Sequence, residues 1–323
     1  MRDGQGREID YIRISVTDRC NLRCQYCMPA GGVRAFSHDA VLRFEEIDRL
    51  MRCLSPLGFR HLRLTGGEPM VRRGCLDLVR TLRTVPGVES VSMTSNGLLL
   101  SGRVAEAKAA GLSALNLSLD SLDPGRYAEL TRGGVLALAL GTMEEALELG
   151  LPLKLNCVPL RGRNEEDLIP LAELARERAI CVRFIELMPI GCGAGLEGIP
   201  QAELTARLEA AFGPMEPDPE RHGWGPARYY RPRGFVGSVG LIGAVSHAFC
   251  DCCNRVRLTA DGQLKLCLNH TDGLDLRELL RGGASDGTIT AAVADALRRK
   301  PSRHAFFEDI GDRELRRMNE IGG

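Results

Sequence analysis

Three cysteines, Cys20, Cys24 and Cys27, crowd one short stretch directly after an extended, β-branched segment that begins at Ile14. Thiols this close together are built to hold something. A disulfide framework does not suit them, because three is odd and the polar N-terminus carries nothing that resembles a secretory signal. Structural zinc wants four protein ligands. Three soft thiolates on one loop fit an iron–sulfur cluster with one iron left without a cysteine. A second group lies far downstream: Cys250, Cys252, Cys253 and Cys267. Asp261-Gly262 falls between the alternating pairs Val256/Leu258 and Leu264/Leu266, which reads as a hairpin returning Cys267 toward Cys250 and Cys253. On residue types alone this group stays open between zinc, completed by Cys252 or His270, and iron–sulfur. Cys53, Cys75, Cys157, Cys181 and Cys192 have no metal-like spacing and read as small buried apolar residues.

The elements that must position these groups alternate. Apolar residues at Ile47, Leu50, Met51 and Leu54 predict a helix over 44–57. Strands are expected at 61–65, 88–94, 115–119, 153–158 and 182–187, with helices at 76–82, 104–111, 136–149 and 165–178 between them. Regular alternation argues for parallel strands with helices outside, and six units fall short of the eight that close a barrel. The expected fold is α/β, an incomplete (βα)6 TIM-type barrel with a smaller C-terminal domain that carries the second cysteine group. A glycine-rich loop over 189–200 and a helix over 201–212 lead to Pro214, Pro217, Pro219 and Pro226, the best linker. The expected domains are therefore 1–220 and 221–323. Beyond the linker come short apolar stretches, a helix over 274–280 and an arginine-rich tail.

Composition narrows the partners. Over 323 residues the formal charge is zero, so no global field draws the chain to nucleic acid or to a membrane surface. No apolar run has the length of a membrane span, and twelve cysteines point to metal binding in a reducing compartment, the cytoplasm. Only four of the 42 basic residues are lysines. Lys154 stands out among them, since an unpaired charge inside Leu153-Lys-Leu-Asn-Cys-Val would be costly.

The C-x3-C-x2-C spacing with Tyr26 inside it, followed by Gly66-Gly67-Glu68-Pro69, resembles the radical S-adenosylmethionine (SAM) enzymes. Adding C-x2-C-x13-C over Cys250, Cys253 and Cys267, with Asn254-Arg255-Val256-Arg257-Leu258-Thr259, makes the chain similar to the molybdenum cofactor biosynthesis protein A family, the GTP 3',8-cyclases, from about Asp10 to the final Gly-Gly. The resemblance implies two [4Fe–4S] clusters, one on Cys20, Cys24 and Cys27 and one on Cys250, Cys253 and Cys267, with Cys252 a departure from the pattern. It assigns SAM to Tyr26, Gly67, Ser118 and Met188. GTP goes to Arg13, Arg63, Thr94, Lys154, Arg255, Val256 and Arg257. The terminal Gly322 and Gly323 are expected to reach the reaction between the clusters.

By the same resemblance the first cluster passes an electron to SAM, a 5'-deoxyadenosyl radical takes hydrogen from ribose C3', and C3' joins guanine C8. The product is (8S)-3',8-cyclo-7,8-dihydroguanosine 5'-triphosphate, passed toward molybdopterin through cyclic pyranopterin monophosphate synthase. An external electron donor is implied, and a homodimer stays open. Two alternatives compete: a radical SAM peptide-modifying enzyme with an auxiliary cluster, and a zinc-ribbon binding protein contacting nucleic acid through Arg255, Arg257 and Arg298-Arg299-Lys300. Zero net charge weighs against the latter.

Overall fold

The computed structural model describes residues 1–220, 222–306, 314 and 316–322. Six βα units run in order as expected: β1 (Tyr11–Ser15), α1 (Phe44–Leu54), β2 (His61–Thr65), α2 (Cys75–Arg83), β3 (Ser90–Ser95), α3 (Val104–Ala109), β4 (Ala114–Ser118), α4 (Pro124–Thr131), α5 (Leu136–Glu148), β5 (Leu153–Cys157), α6 (Leu168–Glu177) and β6 (Cys181–Ile185). Strands β1 to β6 pair in sequence, all parallel. α4 is absent from the sequence expectations, although Asp123-Pro124 announces it: the Asp123 carboxylate accepts from the Arg126 amide at 2.7 Å and Pro124 opens the helix.

The C-terminal part builds onto this sheet at both edges. After α7 (Gln201–Phe212), β7 (Arg228–Tyr230) and β8 (Ser238–Ile242) follow, and β8 lies parallel to β6. At the other edge β9 (Arg255–Leu258) lies parallel to β1, continued by β10 (Gln263–Lys265) and β11 (Gly273–Asp275) in antiparallel fashion. The hairpin expected at Asp261-Gly262 joins β9 to β10. α8 (Leu276–Arg281) and α9 (Asp286–Arg298) close the described chain's helices. The tail thus opens with α9, capped by Ser285 and burying Ile289, Val293, Ala296 and Leu297 on one stripe. No helix among the described residues is long and apolar enough to cross a membrane.

Strand alternation separates core from site. Ile12, Ile14, Leu62, Leu64, Val91, Met93, Leu115, Leu117, Leu155, Val182 and Phe184 belong to the buried core between sheet and helices. The opposite face carries Arg13, Arg63, Ser92, Thr94, Asn116, Ser118, Lys154, Asn156 and Arg183. Register sets these side chains level with one another: Arg257 pairs Arg13, Arg13 pairs Arg63, Asn116 pairs Lys154 and Asn156 pairs Arg183. A period of two therefore turns one face of a parallel sheet into a lining of hydrogen-bonding and cationic groups.

Candidate active site

The first cysteine loop leaves β1 and is laced to the loop after β2. The Val16 amide donates to the Thr65 carbonyl at 3.0 Å, Gly67 to Thr17 at 2.7 Å and Glu68 to Arg19 at 2.8 Å. A Cβ on Gly67 would stand 2.3 Å from the Arg19 carbonyl oxygen, so this approach requires glycine. The Glu68 carboxylate is fully buried and accepts from the Met70 amide (3.1 Å), Ser95 Oγ (2.9 Å) and the Asn96 amide (2.8 Å). Burial raises it to about 7. Asn96 in turn donates to Asn21 Oδ1 at 2.9 Å, fixing the loop beside Cys20.

Cys20, Cys24 and Cys27 line one cavity of about 220 Å³. Burial pushes the Cys20 thiol up to about 11 and raises Cys24 and Cys27 as well, with the neighbouring thiols adding to the effect. Three thiols that disfavour one another's ionisation suit a cationic group that draws all three to thiolate. Among the described residues no histidine lines this cavity, and both of its carboxylates are engaged: Glu68 accepts from Ser95, Asn96 and Met70, and Glu186 from the Val245 and Ser246 amides. That donor set fits an iron–sulfur cluster held by three cysteines and gives zinc no fourth ligand.

Gly67, Ser118, Met188, Tyr26 and Thr94 line the same cavity. Tyr26 donates its hydroxyl to Asp120 Oδ2 at 2.8 Å, and Asp120 Oδ1 accepts from the Val158 amide at 2.8 Å. Burial lifts the Asp120 carboxyl to about 6. Thr94 Oγ1 and Asn319 Oδ1 are buried there without a hydrogen-bond partner, as expected of groups that meet a polar ligand.

A second cavity of about 140 Å³ adjoins the first and shares Arg13, Asn156, Ile185 and Met188 with it. Cys250, Cys253 and Cys267 line it, together with Arg63, Arg183, Arg255, Arg257 and Lys300. Cys252 does not: it is exposed, its thiol 3.5 Å from the Phe249 carbonyl. Burial raises Cys253, but Arg255, Lys300 and Arg257 outweigh it and bring the thiol down to about 7. Three converging thiols, one already primed to ionise, again fit a cluster.

The cations between the two cysteine groups are held at a cost. Burial lowers Arg13 well below the usual guanidinium range, and Arg257, Arg63 and Arg255 lower it further. Arg257 falls to about 10 through burial and Arg255. The Nε atoms of Arg13 and Arg257 are buried without a hydrogen-bond partner. Such a group is stable only against concentrated negative charge.

Two assigned residues stand apart. Lys154 lies on the same face of β5 but outside both cavities, with its ammonium on the His222 carbonyl. Burial, then Arg183 and Arg63, lowers it to about 7. Val256 faces the core beside Ile12 and lines neither cavity. Sequence reasoning passed over Arg183, which is buried and donates to Asn116 Oδ1 at 2.6 Å and Asn156 Oδ1 at 2.6 Å. The signal existed: an arginine alternating with Cys181, Val182 and Phe184 is the pattern that marked Lys154.

The chain returns to this site at its end. Met318 and Asn319 line the first cavity, and Asn319 Nδ2 donates to the Asp18 carbonyl at 3.1 Å. Ile321 is buried with Ile190 and Phe306. Thr65 Oγ1 donates to the Gly322 carbonyl at 3.4 Å, which sets Gly322 at the C-terminal ends of β1 and β2. Gly323 lies outside the described residues.

Known proteins bear on this geometry. Residues 14–175 match the model of the radical SAM superfamily and residues 180–306 that of Molybdenum Cofactor Synthesis C. A GTP 3',8-cyclase of Pelotomaculum thermopropionicum is 47% identical over the whole length of both chains. The chain belongs to the GTP 3',8-cyclase family. Another member, from Moorella thermoacetica, is 44% identical, again over all of both chains. Among solved structures, Streptococcus suis SuiB bound to S-adenosylmethionine shares the fold, with a TM-score of 0.62 and 14% identity over 88% of this chain and 68% of that one. The two matched regions meet between the end of α6 and the start of β6.

Proposed function

We propose that this chain is a radical SAM enzyme that cyclises GTP to (8S)-3',8-cyclo-7,8-dihydroguanosine 5'-triphosphate, using SAM and two [4Fe–4S] clusters, as the first committed step of molybdenum cofactor synthesis. The observation that carries the assignment is the arginine group, in which the Nε atoms of Arg13 and Arg257 are buried without a partner, with Arg13 shared by two adjoining cavities that each hold three cysteines. When bound, the first cluster and SAM supply one-electron chemistry at the ribose, and the second cluster supplies a coordination point for the base.

The protein's own residues bind and orient. Cys20, Cys24 and Cys27 hold the first cluster, while Gly67, Ser118 and Met188 contact SAM. Tyr26, its ring pinned through its hydroxyl by Asp120, would hold the adenine of SAM. Arg13, Arg63, Arg255 and Arg257 neutralise the triphosphate, with Thr94 as a neutral donor. Cys250, Cys253 and Cys267 hold the second cluster, which leaves Cys252 a bystander. Lys154 exchanges the His222 carbonyl for phosphate, and Val256 contributes through the strand it belongs to, not through its side chain. Gly322 approaches the substrate with bare backbone, and the closed setting keeps water from a reactive carbon. Residues 1–220 thus carry the SAM side together with Arg13, Arg63, Thr94 and Lys154, and residues 221–323 carry the second cluster with Arg255 and Arg257. The enzyme works in the cytoplasm, takes its electron from an external donor and hands its product to cyclic pyranopterin monophosphate synthase.

Iron and acid-labile sulfide on anaerobically purified protein test this reading. About eight of each per chain is the expected result for two [4Fe–4S] clusters. Zinc without sulfide on Cys250, Cys253 and Cys267 contradicts it.

A further inference from the structure

The run Arg298-Arg299-Lys300 closes α9 and reads by composition as exposed positive charge, yet Lys300 is only 4% exposed. Its ammonium donates to the Arg255 carbonyl at 2.9 Å and to the Leu266 carbonyl. Arg255 follows Cys253 by two residues and Leu266 immediately precedes Cys267. One side chain therefore braces both strands that present these cysteines.

The third cysteine is held from the other side. Arg7 donates to the Cys250 carbonyl at 2.8 Å, to Pro301 at 2.7 Å and to Ser302 at 3.0 Å. The His304 amide points at Cys250 Sγ at 3.4 Å. Segment 300–304 thus frames the whole cysteine site. The two cations differ in one respect. Arg7 is paired with buried Asp3 at 2.7 Å, whereas no carboxylate among the described residues lies at ion-pair distance from Lys300. Its charge favours the thiolate forms of Cys250 and Cys253, and Cys267 favours the charged form of Lys300 in turn.

We propose that Lys300 is a positioning residue of the second cysteine site and that its uncompensated charge raises the reduction potential of the cluster held there. The inference rests on the two-cluster reading above. An added electron makes a cluster more negative, and a fixed, buried cation favours that form because little solvent screens it. Arg255 and Arg257 act in the same direction and line the same cavity as Lys300, but Arg257 Nε has no hydrogen-bond partner and is left for a ligand to take, whereas the Lys300 ammonium is committed to backbone. Lys300 has its ammonium on two carbonyls and keeps its bias with or without substrate.

Two variants of the full-length, anaerobically purified enzyme separate charge from brace. Lys300→Gln keeps an N–H donor and removes the charge, while Lys300→Arg keeps the charge. Iron content and an EPR-monitored redox titration are measured, the second cluster's signal being the one that Cys267→Ala lacks. The expected result is near-complete iron in Lys300→Gln with a midpoint shifted to more negative potential, and a return toward the wild-type midpoint in Lys300→Arg. An unchanged midpoint in Lys300→Gln overturns the proposal. So does equal loss of iron from both variants, which leaves only a brace of fixed shape. Wild-type protein with a single cluster fails the underlying reading instead, and is recognised by iron count before any variant is made.

Discussion

Replacing Gly322 with alanine puts a methyl group 2.9 Å from Ser15 Cβ and 3.3 Å from Thr65 Oγ1, on a backbone whose φ is +79°. The left-handed conformation costs an L-residue about 1–2 kcal/mol, and overpacking a fixed wall costs about 1–3 kcal/mol more. Against this, the docked tail gains about 1.5–3 kcal/mol from burying Ile321 and about 1 kcal/mol from the Asn319 to Asp18 hydrogen bond. The two sums are comparable, so the variant tail should spend much of its time undocked while the barrel core, which it does not enter, stays folded. The expected outcome is a loss of cyclised product of roughly tenfold or more, since each 1.4 kcal/mol of lost positioning is about tenfold in rate. SAM cleavage should continue without coupling. Brief trypsin treatment reads the docking directly, because Arg316 and Arg317 sit at the base of the tail and should be cut faster in the variant. Full-rate product formation, with unchanged tryptic protection, would refute the reasoning and leave the tail without a role.

Further outcomes follow from the same geometry. Cys24→Ala should abolish 5'-deoxyadenosine formation even without GTP, and Cys267→Ala should lose the second cluster yet retain that cleavage. Cys252→Ser should keep full iron and activity; loss of half its iron would shift the ligand register. Glu46 on α1 accepts from Arg281 on α8 at 2.8 and 3.0 Å, and that guanidinium, with the Arg43 amide, lowers its carboxyl to about 2. A depressed folded-state value stabilises the fold above the unfolded value of about 4.3 and is lost as pH falls toward about 2. Acid melting curves of Glu46→Gln should therefore start lower at neutral pH and fall less across that window; parallel curves would remove the pair from the account.

The six βα units were legible because helical stripes and short alternating apolar runs report burial on one face, and each of those strands takes its place in the parallel order. What lay beyond reach was pairing between distant segments. Nothing in Ser238–Ile242 or Arg255–Leu258 says that they flank β6 and β1, since a short apolar strand carries no address. The same limit governs the site. Cysteine spacing disclosed both groups, and the hairpin logic brought Cys267 back. The level placement of Arg257, Arg13 and Arg63 is a matter of register across three strands, and the Lys300 brace depends on a helix read as a tail. Gly67 is instructive in another way: its missing side chain answers to the Arg19 carbonyl of its own chain, a contact local sequence does not reveal.

The central claim is that this site removes hydrogen from the ribose C3' of GTP and joins that carbon to C8. GTP deuterated at C3' alone, incubated anaerobically with reconstituted enzyme, SAM and a reductant, tests it directly by mass spectrometry of the 5'-deoxyadenosine formed. The account predicts one deuterium in that nucleoside and its absence from the cyclised product. Unlabelled 5'-deoxyadenosine alongside product that keeps its deuterium would contradict it.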